Sequence, residues 1–173
     1  MNHRLFFFLM CLRTARFALS EVADTVTNDA QIYIVGDTSS QTIISSQNAS
    51  KQFNPGPLVK LMSIYVIFDA LQSGVIDLGD EVEISSTVAS TSGIRMFLTS
   101  GDKITVERLI KAAVISGAND AILALVAAVA GTETNFVAVM NQHAKSIRLT
   151  DSKFTGALGY NNNSQFTTAS DLY

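Results

Sequence analysis

Hydrophobic positions surround one stretch of this chain almost completely. Leu58, Leu61, Met62, Tyr65, Val66, Phe68, Ala70 and Leu71 leave no wide polar face, which predicts a buried helix over residues 57–73. Pro57 suits the first helical position, where its missing N–H is not needed. Gly74 is a natural stop. Earlier, apolar residues at 31–35 and 42–44 predict two strands, with Gly36-Asp37 as a turn and a hairpin as the result. Asn48-Ala49-Ser50 fits a glycosylation acceptor and is read as an ordinary polar turn. Residues 75–104 look irregular, with a short strand near 81–84. Thr105 predicts a capped helix running to Ile115. Asn119 or Asp120 opens a second, alanine-rich helix to Ala130, and Gly131-Thr132 breaks it. A third helix is expected over 133–146, with Phe136, Val137, Met140 and Ala144 on one face. There is no internal repeat and no low-complexity segment.

Composition narrows the class without naming a function. The chain has 173 residues, 47% hydrophobic and 16% charged, with a net charge of −3. That length fits one domain with a core of its own. No basic run or aromatic–basic interleaving points to nucleic acid. No apolar run reaches the 18 residues of a membrane span. Met1 to Arg4, the apolar Leu5 to Leu12 and the small residues Ala18-Leu19-Ser20 form a secretory signal pattern. Residues 1–20 are therefore expected to be a signal peptide, 21–30 a polar linker, and 31–173 the domain. Cleavage after Ser20 removes Arg4, Arg13 and Arg16 and no acid, which takes the charge from −3 to −6. It also removes Cys11, the only cysteine, so no disulfide or thiol chemistry is expected in the exported chain.

The chemistry is concentrated at Asn54-Pro55-Gly56-Pro57-Leu58-Val59-Lys60-Leu61-Met62-Ser63. This segment resembles the start of the catalytic helix of the D-alanyl-D-alanine carboxypeptidases, the low-molecular-weight penicillin-binding proteins, whose motif is P-A-S-x-T-K-x-M. Other segments follow in the family's order. Met96-Phe97-Leu98 with Gly101 resembles the stretch ahead of the second motif. Asn119-Asp120-Ala121 resembles the end of S-x-N-D-A. Phe136, Met140-Asn141 and Ala144 resemble F-x-x-x-M-N-x-x-A. Phe154 with Gly159-Tyr160 resembles F-x-N-P-x-G-L, with Gly156-Ala157 in place of Asn-Pro. Residues 167–172 resemble S-T-A-R-D-L. The resemblance covers residues 31–173. It implies an α/β fold of the serine β-lactamase and penicillin-binding type.

The departures fall on the reacting groups. The family's serine attacks the carbonyl of D-Ala-D-Ala and forms an acyl-enzyme, and the motif lysine is its proton acceptor. Here Lys60 is retained, and Pro57 stands where the serine should be. In S-x-N, Asn119 is retained, and Gly117 stands where a proton-shuttling serine should be, with Ser116 adjacent. The third motif, K-T-G, has no counterpart before Tyr173. The resemblance therefore implies the leading part of the domain, an incomplete antiparallel sheet with a largely helical region. Losing the nucleophile alone costs several orders of magnitude in rate.

Each remaining candidate has a plain structural reading. Lys60 is expected to pair with Asn119 or a backbone carbonyl, with a pKa lowered by burial. Ser63 lies one turn beyond Lys60 on the same face and is expected to pack, although it could be a substitute nucleophile. Ser116 could be a displaced proton shuttle. His3 and His143 lack metal spacing, and His143 is expected to be solvated. Asp77, Asp80, Glu81 and Glu83 read as a solvated loop. No cofactor or metal is expected. By resemblance the partners are a peptidoglycan stem peptide or a β-lactam, met in the periplasm or cell envelope. The expected function is a D-Ala-D-Ala carboxypeptidase of peptidoglycan maturation, inactive as written. Two alternatives are a non-catalytic module that binds peptidoglycan or a partner, and a hydrolase that uses another serine or a complementing chain.

Overall fold

The computed structural model describes residues 29–160 and 164–173. The signal pattern at 1–20, residues 21–28 of the linker, His3 and Cys11 lie outside the described residues. The chain divides into two compact units. The first contains a hairpin, strands β1 (Tyr33–Asp37) and β2 (Thr42–Gln47), paired antiparallel from Tyr33 opposite Gln47 to Asp37 opposite Thr42. The expected turn at Gly36-Asp37 is in fact strand. A bulge between Val35 and Gly36 absorbs the register shift, and the turn moves to residues 38–41. There Asp37 accepts from the Ser39 amide at 2.9 Å and the Ser40 hydroxyl at 2.9 Å. Asn48 is indeed a turn residue, with φ of 50° and its amide donating to Gln31 O at 2.9 Å.

The second unit spans residues 50–172. A single 3-10 turn over Gly56–Leu58 leads into α1 (Val59–Gln72). Next come β3 (Glu81–Glu83) and the short α2 (Ser86–Ala89), then β4 (Lys103–Thr105), which pairs antiparallel with β3. Three helices follow as expected: α3 (Val106–Ile115), α4 (Asn119–Ala130) and α5 (Glu133–Ser146). Thr105 caps α3 by accepting from the Arg108 amide at 3.4 Å, and Thr132 caps α5 by accepting from Asn135 at 3.2 Å. Gly131, with φ of 74°, makes the break between α4 and α5. A last turn, α6 (Ala169–Leu172), ends the unit.

Helix α4 is central and touches α1, α3 and α5. The core joins Val59, Val66 and Ile67 of α1 to Leu109 of α3, Ile122 and Leu125 of α4, and Phe136 and Met140 of α5, all essentially buried. Each such side chain contributes about 1.5–3 kcal/mol by leaving water. Helix α1 departs from the expectation that it is buried all round. Leu58, Leu61, Tyr65 and Phe68, spaced by three and four residues, form an exposed apolar stripe, with Leu61 59% exposed. The sequence pattern does not distinguish this face from the buried one, because both are apolar. Among the described residues no single helix is long and apolar enough to cross a membrane.

Candidate functional site

Three segments far apart in sequence meet at the start of α1. The first is the 3-10 turn holding Pro57, which is exposed at its surface. The second is the loop from α3 into α4, residues 116–119. The third runs through Ala157, Leu158 and Gly159 and packs directly on the first. Gly159 has φ of 74° and lies so close to Gly56 and Pro57 that a Cβ there would collide with the Gly56 carbonyl. Only glycine permits this approach. The third segment is itself held by Asn141 of α5, which donates to Phe154 O at 2.8 Å and accepts from the Phe154 amide at 3.0 Å.

Lys60 projects from the first turn of α1 and donates to Gly117 O at 2.8 Å. This is the backbone-carbonyl pairing of the two alternatives; the pairing with Asn119 is not made. Partial burial holds the Lys60 pKa below the ordinary lysine value, because lost hydration penalises the charged amine. A side chain at Gly117 would place its Cβ 3.7 Å from Lys60 Nζ. The geometry therefore favours position 117, and not 116, as the one that faces the lysine. Gly117 has φ of 68°, a conformation that suits glycine. Ser116 turns its hydroxyl back onto Ala112 O at 2.7 Å, which caps the end of α3. It is occupied in its own helix end.

Asn119 and Asp120 open α4 and grip the loop before it. The Asn119 amide nitrogen of the backbone donates to Ile94 O at 2.7 Å, and its side-chain Nδ2 donates to Ser92 O at 2.8 Å. Its Oδ1 is buried without a hydrogen-bond partner among the described residues. Asp120, 1% exposed, accepts from the amides of Met96 at 3.0 Å and Leu98 at 3.2 Å. These two bonds straddle Phe97, whose φ of 61° is strained for a bulky residue. Arg95 stacks over the Phe97 ring at 5.0 Å. Sequence reasoning did not assign Asp120 this clamping role, or Ser92 and Tyr160 any role in the site. The Asn-Asp pair at the head of a helix was the available signal.

The other candidates resolve as structure. Ser63 is fully buried and donates to Ala157 O at 2.7 Å, which ties α1 to the third segment. Its burial and this bond fit the expected packing role. His143 is not solvated: its side chain is 22% exposed, stands edge-on to Tyr65 and lies 3.4 Å from Asp69. Its helix neighbours implied solvent, while the covering residues come from α1. Asp77, Asp80, Glu81 and Glu83 are exposed. Among the described residues no group of three or more His, Cys, Asp or Glu side chains could hold a metal ion.

Comparison with known proteins gives a consistent result. A family model described as D-alanyl-D-alanine carboxypeptidase matches residues 19–173. The carboxypeptidase DacC of Escherichia coli is 33% identical over 171 residues, covering 95% of this chain and 43% of that protein. DacF of Bacillus subtilis is 28% identical, covering 84% of this chain and 37% of that protein. Among solved structures, the carboxypeptidase DacD from Francisella tularensis superposes with a TM-score of 0.83 at 29% identity, over 87% of this chain and 36% of that one. Penicillin binding protein 5 from Haemophilus influenzae gives 0.79 at 29% identity, over 83% of this chain and 42% of that one. The chain thus spans about two fifths of the length of these relatives, and its fold is of the penicillin-binding, β-lactamase-like serine hydrolase type.

Proposed function

Because this chain belongs to the D-alanyl-D-alanine carboxypeptidase family, we propose that it is a carboxypeptidase-type domain of peptidoglycan maturation that has lost acyl transfer. Its ligand class is the D-Ala-D-Ala stem peptide and, by the same stereochemistry, the β-lactams. Its place of action is the bacterial cell envelope. One observation carries the reading. Lys60 stands in the position of a proton acceptor, yet neither residue that should present a hydroxyl to it, Pro57 or Gly117, has one, and the amine is turned to a backbone carbonyl instead. Acylation needs a nucleophile whose proton is removed as it attacks. Here the base is retained and the nucleophile is absent.

The alternative of a binding module is favoured by the buried, unpartnered Oδ1 of Asn119, an acceptor that a ligand amide could satisfy. The alternative of another serine is disfavoured by the internal bonds of Ser63 and Ser116. The test is incubation of the chain with a fluorescent penicillin, followed by mass spectrometry of the intact protein. The expected result is no covalent adduct, for the native chain and for Pro57→Ser alone, since Gly117 still lacks a hydroxyl. A stoichiometric serine adduct on the native chain, or release of D-alanine by Pro57→Ser, overturns the reading.

A further inference from the structure

We propose that the free edge of β3 is a docking site for an extended basic peptide, which adds to it as a third strand. The inference is independent of the Lys60 site and starts from the register. Glu81, Val82 and Glu83 stand opposite Thr105, Ile104 and Lys103. At the two ends of that stretch, Val106 N donates to Asp80 O at 2.9 Å and Ile84 N donates to Asp102 O at 2.9 Å. Hydrogen-bonded pairs alternate along an antiparallel ladder. Residues 80, 82 and 84 therefore turn their backbone groups to β4, and Glu81 and Glu83 turn theirs the other way. The sheet has two strands, and among the described residues nothing bonds those outward groups.

The space beside this edge is a groove of about 480 Å³, within the size range of ligand sites. Asp80, Glu81, Val82 and Glu83 line it together with Ile76 and Val106. Helix α4 contributes only the small Ala127 and Ala128, which leaves room along the edge. Charge selects the occupant. Asp80, Glu81 and Glu83 are exposed, and among the described residues neither glutamate makes an ion pair, not even Glu83 with Lys103 opposite it. A second copy pairing edge to edge would set glutamates against glutamates, and like charges directly opposite are destabilising. A strand with lysine or arginine at alternate positions instead places its cations beside Glu81 and Glu83 and sends the intervening side chain to the Val82 side. Its N–H and C=O groups meet the outward groups of the two glutamates. Main-chain bonds then supply affinity and alternate side chains supply specificity. Edge glutamates do not block pairing as a proline would; they choose the sign of the partner.

The test uses the full chain and a blocked, fluorescently labelled hexapeptide of alternating lysine and valine, read by fluorescence anisotropy. The expected result is saturable binding with a Kd below about 1 mM. The same peptide N-methylated on the backbone nitrogens of its lysines keeps its charge and loses the donors that face β3, so its affinity should fall about tenfold. Glu81→Lys combined with Glu83→Lys should weaken the unmethylated peptide about tenfold and favour a glutamate–valine peptide instead. In amide exchange by NMR, Glu81 and Glu83 should gain protection on peptide addition, while Val82, already bonded to β4, should not change. Absence of saturable binding overturns the proposal. Equal binding of the N-methylated peptide leaves only charge attraction and overturns strand addition. Protection of Glu81 and Glu83 that rises with protein concentration alone assigns the edge to a second copy and overturns the basic partner. If the double variant loses its circular dichroism, the N-methylated peptide decides.

Discussion

Replacing Asp120 with alanine should be among the most damaging single changes in this protein, although the residue makes no ion pair among the described residues. Its carboxylate accepts from the amides of Met96 and Leu98, residues 24 and 22 positions earlier, and from its neighbour Ala121 at 2.9 Å. Hydrogen bonds to a charged group contribute about 1.5–3 kcal/mol each, and a buried amide left without its acceptor costs the desolvation in full. With two tertiary bonds lost, Asp120→Ala should cost about 3–5 kcal/mol, a large share of a typical 5–15 kcal/mol margin. Asp120→Asn is the finer probe. It keeps one oxygen for Met96 and Ala121 and turns an NH2 towards the Leu98 amide, so donor faces donor. Its cost should be about 2–3 kcal/mol. Urea denaturation followed by circular dichroism measures both, and the melting temperature should fall by about 2–4 °C per kcal/mol for a chain of this size. Hydrogen exchange adds locality, because the Met96 and Leu98 amides should lose protection before the helices do. A loss below about 1 kcal/mol for Asp120→Ala would show that the loop holding Phe97 at positive φ is not clamped by this carboxylate.

Three further outcomes follow from the same geometry. Gly159→Ala should fail to fold or melt far below the native protein, because its Cβ would meet the Gly56 carbonyl; a near-native melting temperature refutes the close approach. Lys60→Met should gain on the native chain at neutral pH and lose that advantage as pH rises. The folded-state pKa of Lys60 is lowered, so between that value and the ordinary lysine value the unfolded chain binds more protons and native stability climbs with pH; melts of both proteins from pH 7 to 10.5 that run parallel would contradict this. The 173-residue chain should associate, since Val35, Ile43 and Ile44 of the hairpin and the α1 stripe are exposed; a soluble monomer with one sharp transition in size-exclusion chromatography and thermal melting would count against it.

The helices were legible because their signals are local. Thr105, Gly131 and Thr132 are caps and breaks that act within one turn, and α3, α4 and α5 begin and end where those residues place them. The hairpin turn was misplaced because a bulge depends on the partner strand, which no single-strand pattern contains. The half-exposed face of α1 was illegible for the same reason: Leu61 and Val66 look alike in the sequence, and only the neighbours differ. In the site, Lys60, Pro57, Gly117 and Asn119 could be named from motif positions. What Lys60 bonds to could be narrowed to two partners and no further, since the choice depends on how the loop before α4 turns at Gly117. Tyr160 could be named only as the residue after the motif glycine and Ser92 gave no signal, because their contacts span 41 and 68 residues.

That wide spacing sets the order in which the molecule can assemble. Helices α3, α4 and α5 follow one another with short connections, so their mutual contacts close small loops. The Lys60 site is joined instead by Lys60 to Gly117 over 57 residues and by Ser63 to Ala157 over 94. Closing long loops costs chain entropy before any contact rewards it, and contacts of high sequence separation slow folding. The helical layer should thus be a structured platform while the third segment is still unattached. During refolding, amides of α4 should gain exchange protection before the Ser63–Ala157 link forms. Under mild denaturant the sequence reverses, so the Lys60 site opens in a molecule whose helices are still intact.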